Sequence, residues 1–259
     1  MDALQCAVPV SGLYAAADDS GPLDDQLLLG QGIKAIRQEG SWTYGEAQPL
    51  FGNIGHYLGY VKTEHLRGAS AGRLMANRRI CALKAPVFSK PDLKSPITAM
   101  LSLGAQVHVG AISGPYCQVE GGYIHAAHLD ALDDYADDFV SIAERYLLLP
   151  YIWGGTSSDG VDCSGLVRNA LWAAGIECPR DASQQEAALG ESITITGNLS
   201  GLERGDLIFW KGHVGIMMDG QWLLHANAHH MMTQIEPLTE AATRIAKTAG
   251  PITAIKRLG

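Results

Sequence analysis

Two stretches decide the fold: Pro150-Tyr151-Ile152-Trp153-Gly154-Gly155, and five residues later Val161-Asp162-Cys163-Ser164-Gly165-Leu166-Val167. The first is an aromatic and glycine-rich loop. The second runs into Leu166, Val167, Ala170, Leu171 and Ala174, whose spacing of three and four predicts a helix stopped at Gly175. Cys163 therefore stands where a loop enters a helix. Unpaired N–H groups and the helix dipole favour negative charge there, so the thiol is expected to move down from about 8.5 toward thiolate at neutral pH. A lone cysteine beside Leu, Val and Ala is more often a small buried hydrophobe, so its partners decide the matter.

Those partners lie downstream. His213 opens a strand-like run, 213–218, and His225 sits in the next, 221–226, with Asp219-Gly220 as the turn between them. Centring the hairpin on that turn puts residue 213 opposite 226, which brings the two histidines together. A thiolate nucleophile needs a base that later protonates the leaving amine, and histidine suits that role near neutral pH. Cys163, His213 and His225 thus read as nucleophile, base and orienting residue. The same side chains, with His229 and His230, are also zinc-ligand types. Against zinc, His229 and His230 are adjacent and diverge on a strand, and no second Cys or carboxylate has ligand spacing, so no metal or cofactor is expected.

Around this core the chain changes character twice. Short β-like runs at 8–14, 26–29, 32–37, 41–44 and 57–61, then at 80–87, 96–102, 105–112, 116–120 and 122–125, predict two small β barrels joined by a linker at 67–77 carrying Gly68, Ser70 and Gly72. A faint echo supports duplication: Leu28-Leu29-Gly30-Gln31-Gly32-Ile33 resembles Leu103-Gly104-Ala105-Gln106-Val107, and Gly59-Tyr60-Val61 resembles Gly122-Tyr123-Ile124. Past Leu132, Phe139, Ile142, Ala143, Tyr146 and Leu147 predict a helix entered through Asp133-Asp134 and ended by Pro150. Strands at 206–210, 213–218, 221–226 and 252–258 with a helix at 238–247 complete an α+β domain.

The chain has 259 residues, 19 basic and 27 acidic, for a formal charge of −8. Its scattered Lys and Arg argue against nucleic acid and anionic membrane as partners. Residues 1–14 lack a basic start followed by an apolar run, so no secretory signal is read and a cytoplasmic location is expected. Five cysteines without a Cys-x-x-Cys pair fit a reducing compartment.

Five motifs, Pro150 to Gly155, Asp162 to Leu166, Gly205-Asp206-Leu207-Ile208-Phe209-Trp210, His213-Val214-Gly215-Ile216 and Leu224-His225-Ala226, resemble the NlpC-type cell-wall cysteine peptidases. The resemblance implies a papain-like catalytic domain, helices packed on an antiparallel sheet, over 133–259, preceded by bacterial SH3-like domains at 1–68 and 76–132. It implies Cys163 as nucleophile, His213 as base, His225 as orienting residue and Tyr151 beside the oxyanion. Within the family the chain looks like the γ-D-glutamyl-L-diamino acid endopeptidases that trim recycled murein peptides carrying a free N-terminal L-alanine. Pro179-Arg180-Asp181-Ala182-Ser183-Gln184-Gln185 then resembles a substrate-holding segment. Asp162 and Ser164 are candidates for the substrate amine, and Arg180 for its carboxylate or for positioning Asp181, the alternative being a solvated charge pair in a loop. In the first SH3-like domain Gln31 takes the place of a relative's glutamate and Tyr57 of its tyrosine, with Tyr60 close behind; both tyrosines are equally barrel-core candidates. A murein-peptide binding protein and a thiolate acyltransferase remain rival functions of the same fold.

Overall fold

A computed structural model describes residues 3–69, 75–194 and 199–259. The chain divides into two compact units, Met1–Tyr135 and Ala136–Gly259. No helix among the described residues is long and apolar enough to cross a membrane.

The first unit is built from strands. β1 (Ala3–Cys6), β2 (Val10–Tyr14), β3 (Leu23–Leu28), β4 (Gly32–Glu39), β5 (Trp42–Ala47), β6 (Tyr57–Lys62) and β7 (Leu66–Gly68) form one antiparallel sheet in the order β3-β2-β6-β5-β4-β1-β7. β8 (Arg78–Ile80), β9 (Lys84–Phe88), β10 (Ile97–Ser102), β11 (Gln106–Val107), β12 (Ile112–Ser113), β13 (Tyr116–Val119), β14 (Gly122–His125) and β15 (Leu129–Asp130) make a five-stranded sheet, β10-β9-β14-β13-β12, and a three-stranded one, β11-β8-β15. The runs expected at 80–87 and 105–112 are each broken into two short strands, and β1 was not expected. Part of the expected linker, residues 70–74 with Ser70 and Gly72, lies outside the described residues.

The echo in sequence is an echo in backbone. Gly30 and Gly104 both take positive φ, 84° and 88°, in turns closed by Gln31 N–H to Leu28 C=O and Ala105 N–H to Ser102 C=O. Only a residue without a Cβ adopts that conformation freely. Each half also ends in the same way: β6, a turn of 3₁₀ helix at Thr63–His65, then β7; and β14, a 3₁₀ turn at Ala126–His128, then β15.

Two apolar cores fill this unit, and one strand feeds both. Leu27 packs with Cys6, Leu13, Ile33, Ala47 and Val61, whereas its neighbour Leu28 packs with Ile80, Val87, Leu101, Val107 and Ile124. Successive side chains of a strand leave on opposite faces, so β3 binds the halves into one body. Leu28→Ala opens a cavity at 2% exposure and is expected to cost about 2–5 kcal/mol, read as a lower urea midpoint at unchanged slope.

In the second unit, α1 (Phe139–Glu144), α2 (Cys163–Ala173), α3 (Ala182–Ala188) and α4 (Leu238–Ala249) accompany a six-stranded antiparallel sheet. β16 (Thr156–Ser157) and β17 (Gly160–Val161) pair as a small hairpin. The sheet uses β18 (Glu191–Ser192), β19 (Leu207–Trp210), β20 (His213–Met217), β21 (Trp222–Asn227), β22 (Met232–Pro237) and β23 (Ala254–Arg257), in the order β18-β23-β19-β20-β21-β22. α1 starts later than expected. Its cap is Asp138, which accepts from Val140 N–H at 2.9 Å, so Asp133-Asp134 is not the entry.

Candidate active site

The nucleophile candidate is held by a carboxylate. Asp162 caps α2, and its Oδ1 accepts from Gly165 N–H (2.7 Å), Ser164 Oγ (3.2 Å) and Arg180 Nη1 (3.0 Å). Its Oδ2 accepts from Gly154 N–H (2.9 Å) and Arg180 Nη2 (2.5 Å). Helix, glycine loop and the Arg180 segment are therefore tied at one buried point. Gly165 is demanded by crowding, since a Cβ there would lie 2.3 Å from the Gly155 carbonyl oxygen. Cys163 follows the cap and is 7% exposed.

Arg180 does not face outward. It is 2% exposed, and besides Asp162 it donates to Ser164 Oγ at 2.8 Å. The expected contact with a substrate carboxylate gives way to this internal pair, because burying a guanidinium requires a buried anion beside it. Five donors already surround the Asp162 carboxylate, whose lone pairs offer about four places, so a substrate amine reaches it only by displacing one of them. Asp181 caps α3 in a capping box with Gln184. This short helix was not anticipated, although Asp181-Ala182-Ser183-Gln184 carries that signature.

The two histidines meet, by a register one residue away from the expected one. Ile216 pairs with Leu224 and Met217 with Leu223, which continues to Gly215 opposite His225, not to 213 opposite 226. The difference is decisive: the expected register would send the rings to opposite faces of the sheet, and the observed one puts them on the same face. His213 Nε2 and His225 Nδ1 are 2.8 Å apart, with His225 fully buried. Gly215 leaves the space, since a Cβ there would stand 3.2 Å from the His225 Cβ. Trp210 lies against His213 with ring centroids 5.6 Å apart.

Behind the histidines stand two residues that sequence reading missed. His225 Nε2 is 2.7 Å from Glu236 Oε1, and Arg244 clasps the same carboxylate with both terminal nitrogens, Nη1 at 2.6 Å from Oε2. The available signal was register: His225 pairs with Gln234, so Glu236 two residues on shares its face.

Electrostatics corrects another expectation. Burial pushes the Cys163 thiol up to about 12, Asp162 adding to it, while the Val214 and Ser164 backbone and Arg180 pull the other way. The helix end alone does not draw the thiol down. Burial also lowers His213, to about 3, with the charges of His225 and Arg244 assisting and Glu236 opposing. Burial thus disfavours the charged form of both groups. Tyr151, raised by burial, lies in the field of Cys163, Asp162 and Arg180.

Other expected residues fall elsewhere. Gln31 is 3% exposed and uses both ends of its amide internally, accepting from Leu28 N–H and donating to the Gln48 carbonyl. Tyr57 packs on the first core, and Tyr60 bonds Arg37 and Glu39. Among the described residues no cluster of three His, Cys, Asp or Glu can hold a metal ion.

The NlpC/P60 family profile matches residues 149–247, so the second unit carries an NlpC/P60 domain of papain-like fold. Over nearly its whole length the chain is 25% identical to dipeptidyl-peptidase 6 of Lysinibacillus sphaericus (93% of each chain). It is 24% identical to the γ-D-glutamyl-L-lysine dipeptidyl-peptidase of Bacillus cereus, covering 85% of this chain and 72% of that one. A crystal structure of an NlpC/P60 family protein from Bacillus cereus superposes with a TM-score of 0.81 at 20% identity, covering 98% of this chain and 99% of that one, and so shares its fold.

Two outcomes follow from the charges. Arg180→Met strands the buried Asp162 carboxylate and is expected to cost about 3–5 kcal/mol in a denaturation series. A raised KM with unchanged stability would return Arg180 to the substrate. Acid sensitivity is the second. Buried neutral histidines resist protonation, so stability falls as pH drops below 6.5. Burial works to raise Glu236, but hydrogen bonds from His225 and Arg244 hold it down to about 2, so its contribution is complete above 4.5 and lost toward about 2. A urea series over this range should show that second loss at roughly 2–3 kcal/mol, and its absence would detach Glu236 from the histidines.

Proposed function

We propose that the protein is a cysteine endopeptidase that hydrolyses the γ-D-glutamyl bond to a diamino acid in short murein peptides with a free N-terminal L-alanine, in the recycling of cell-wall peptides. The observation that carries this reading is the hydrogen-bonded pair of His213 and the fully buried His225, with His213 on the strand whose Val214 backbone meets the Cys163 thiol. The similarity along both units to a peptidase named for γ-D-glutamyl-L-lysine supports the substrate class.

In this reading Cys163 is the nucleophile. Its proton passes to His213 as sulfur adds to the γ-carbonyl carbon, and His213 returns it to the amine of the departing diamino acid. Water then attacks the thioester, gives its proton to His213, and releases the peptide carboxylate and the thiol. Tyr151 stands on the oxyanion side. Asp162 and Ser164 fix the nucleophile's helix against the Gly154 loop, and Asp181, next to Arg180, caps α3. The first unit is a pair of SH3-like modules at 1–68 and 76–132, a reading supported by its repeated strand, 3₁₀ turn and strand. The catalytic domain is then 133–259.

Incubating the protein with L-Ala-γ-D-Glu-diaminopimelate and its N-acetylated form, with products followed by mass spectrometry, is expected to release diaminopimelate from the free peptide alone. Cys163→Ala should lower kcat by about 10³-fold or more. Cleavage of both forms would remove the free-amine requirement. No cleavage of either would favour a binding protein, and a new amide on adding an amine acceptor would favour an acyltransferase.

A further inference from the structure

Resting on the assignment of Cys163 as nucleophile, we propose that Glu236 is a positioning residue: clamped by Arg244, it fixes the tautomer of both histidines so that His213 keeps Nδ1 bare to receive the thiol proton. The argument is one of proton placement. An ionised carboxylate only accepts, so the proton in the 2.7 Å contact between Glu236 Oε1 and His225 Nε2 belongs to the histidine. Neutral His225 then has a bare Nδ1. The 2.8 Å contact with His213 Nε2 consequently takes its proton from His213, and the nitrogen left without one on that ring is Nδ1.

Without the carboxylate, the order can run backward. His225 would carry its proton on Nδ1 and donate to His213 Nε2, leaving His213 Nδ1 protonated and useless as a base. Arg244 enforces the forward order because a guanidinium only donates, which keeps both carboxylate oxygens acceptors and the group ionised. The charged and titratable groups facing this pair are His213 from β20, His230, 4.0 Å from Glu236 Oε1, and Arg244 from α4, with Glu240 beyond it acting on Arg244. During acylation the Cys163 Sγ proton moves to His213 Nδ1, and the resulting imidazolium donates through Nε2 to His225, whose own N–H points at the carboxylate.

The isosteric change Glu236→Gln makes the test sharp. Arg244 will turn the amide oxygen toward itself, which leaves the amide NH₂ facing His225 and favours the reversed order. Ring ¹⁵N NMR of the wild-type protein should show unprotonated Nδ1 on both His213 and His225, and E236Q should show a protonated Nδ1 on His225. In E236Q, kcat should fall about 10²-fold or more at little-changed KM, the order expected of a base held in the wrong tautomer, and alkylation of Cys163 by iodoacetamide should slow with it. Glu236→Asp, still acceptor-only, should keep the wild-type tautomers and recover part of the rate. A protonated His213 Nδ1 in the wild type overturns the proposal without any variant, as do wild-type tautomers and rates in folded E236Q. If E236Q fails to fold, the wild-type spectrum and Glu236→Asp decide. Tautomers and alkylation as expected in a protein that leaves the peptide uncut would count against the substrate reading and leave the proton order standing.

Discussion

The position of Cys163 depends on one buried carboxylate. Asp162 takes hydrogen bonds from a glycine loop, from the first turn of α2 and from the guanidinium of Arg180. Such a hub is expensive to bury, and it is tolerated because every acceptor site has a donor. What it provides is position. The thiol of the next residue stands at a helix end whose orientation is set by charge-assisted bonds rather than by packing alone. Gln185 extends the tie by donating to the carbonyls of Ser164 and Pro179.

Burial disfavours charge on the Cys163 thiol and on the His213 ring. A thiol moved up and a histidine moved down are the signs of a dry pocket in which an ion pair would be poorly solvated. In the mechanism proposed above the proton leaves the thiol as sulfur meets its target, which places weight on the geometry of the base and on what lies behind it. The line from His213 through His225 to Glu236 and Arg244 supplies that geometry from three strands and a helix.

The motifs around Cys163, the strand order of the hairpin and the glycine stop of α2 were legible because turns and helix ends have local chemistry. Register was less so: the Asp219-Gly220 turn fixes the pairing only to within one residue, and one residue decides which face a ring occupies. Asp133-Asp134 looked like a helix entry because acids favour helix starts, yet Asp138 is the cap because the apolar stripe begins at Phe139 and Val140. Arg180 and Gln31 read as surface contacts, since polar side chains usually are, and only packing shows that both are enclosed. Glu236 and Arg244 belong to no local pattern; they meet because a strand end and a helix two turns later share one flank of His225.

The alternation at Leu27 and Leu28 bears on how the N-terminal unit can be dissected. A fragment cut at the chain junction between the two sheets would leave the later half without a side chain that fills its centre, and the earlier half with a leucine facing water. Repetition in the backbone therefore does not imply separability. The two halves share a keystone, so neither half carries a complete core of its own.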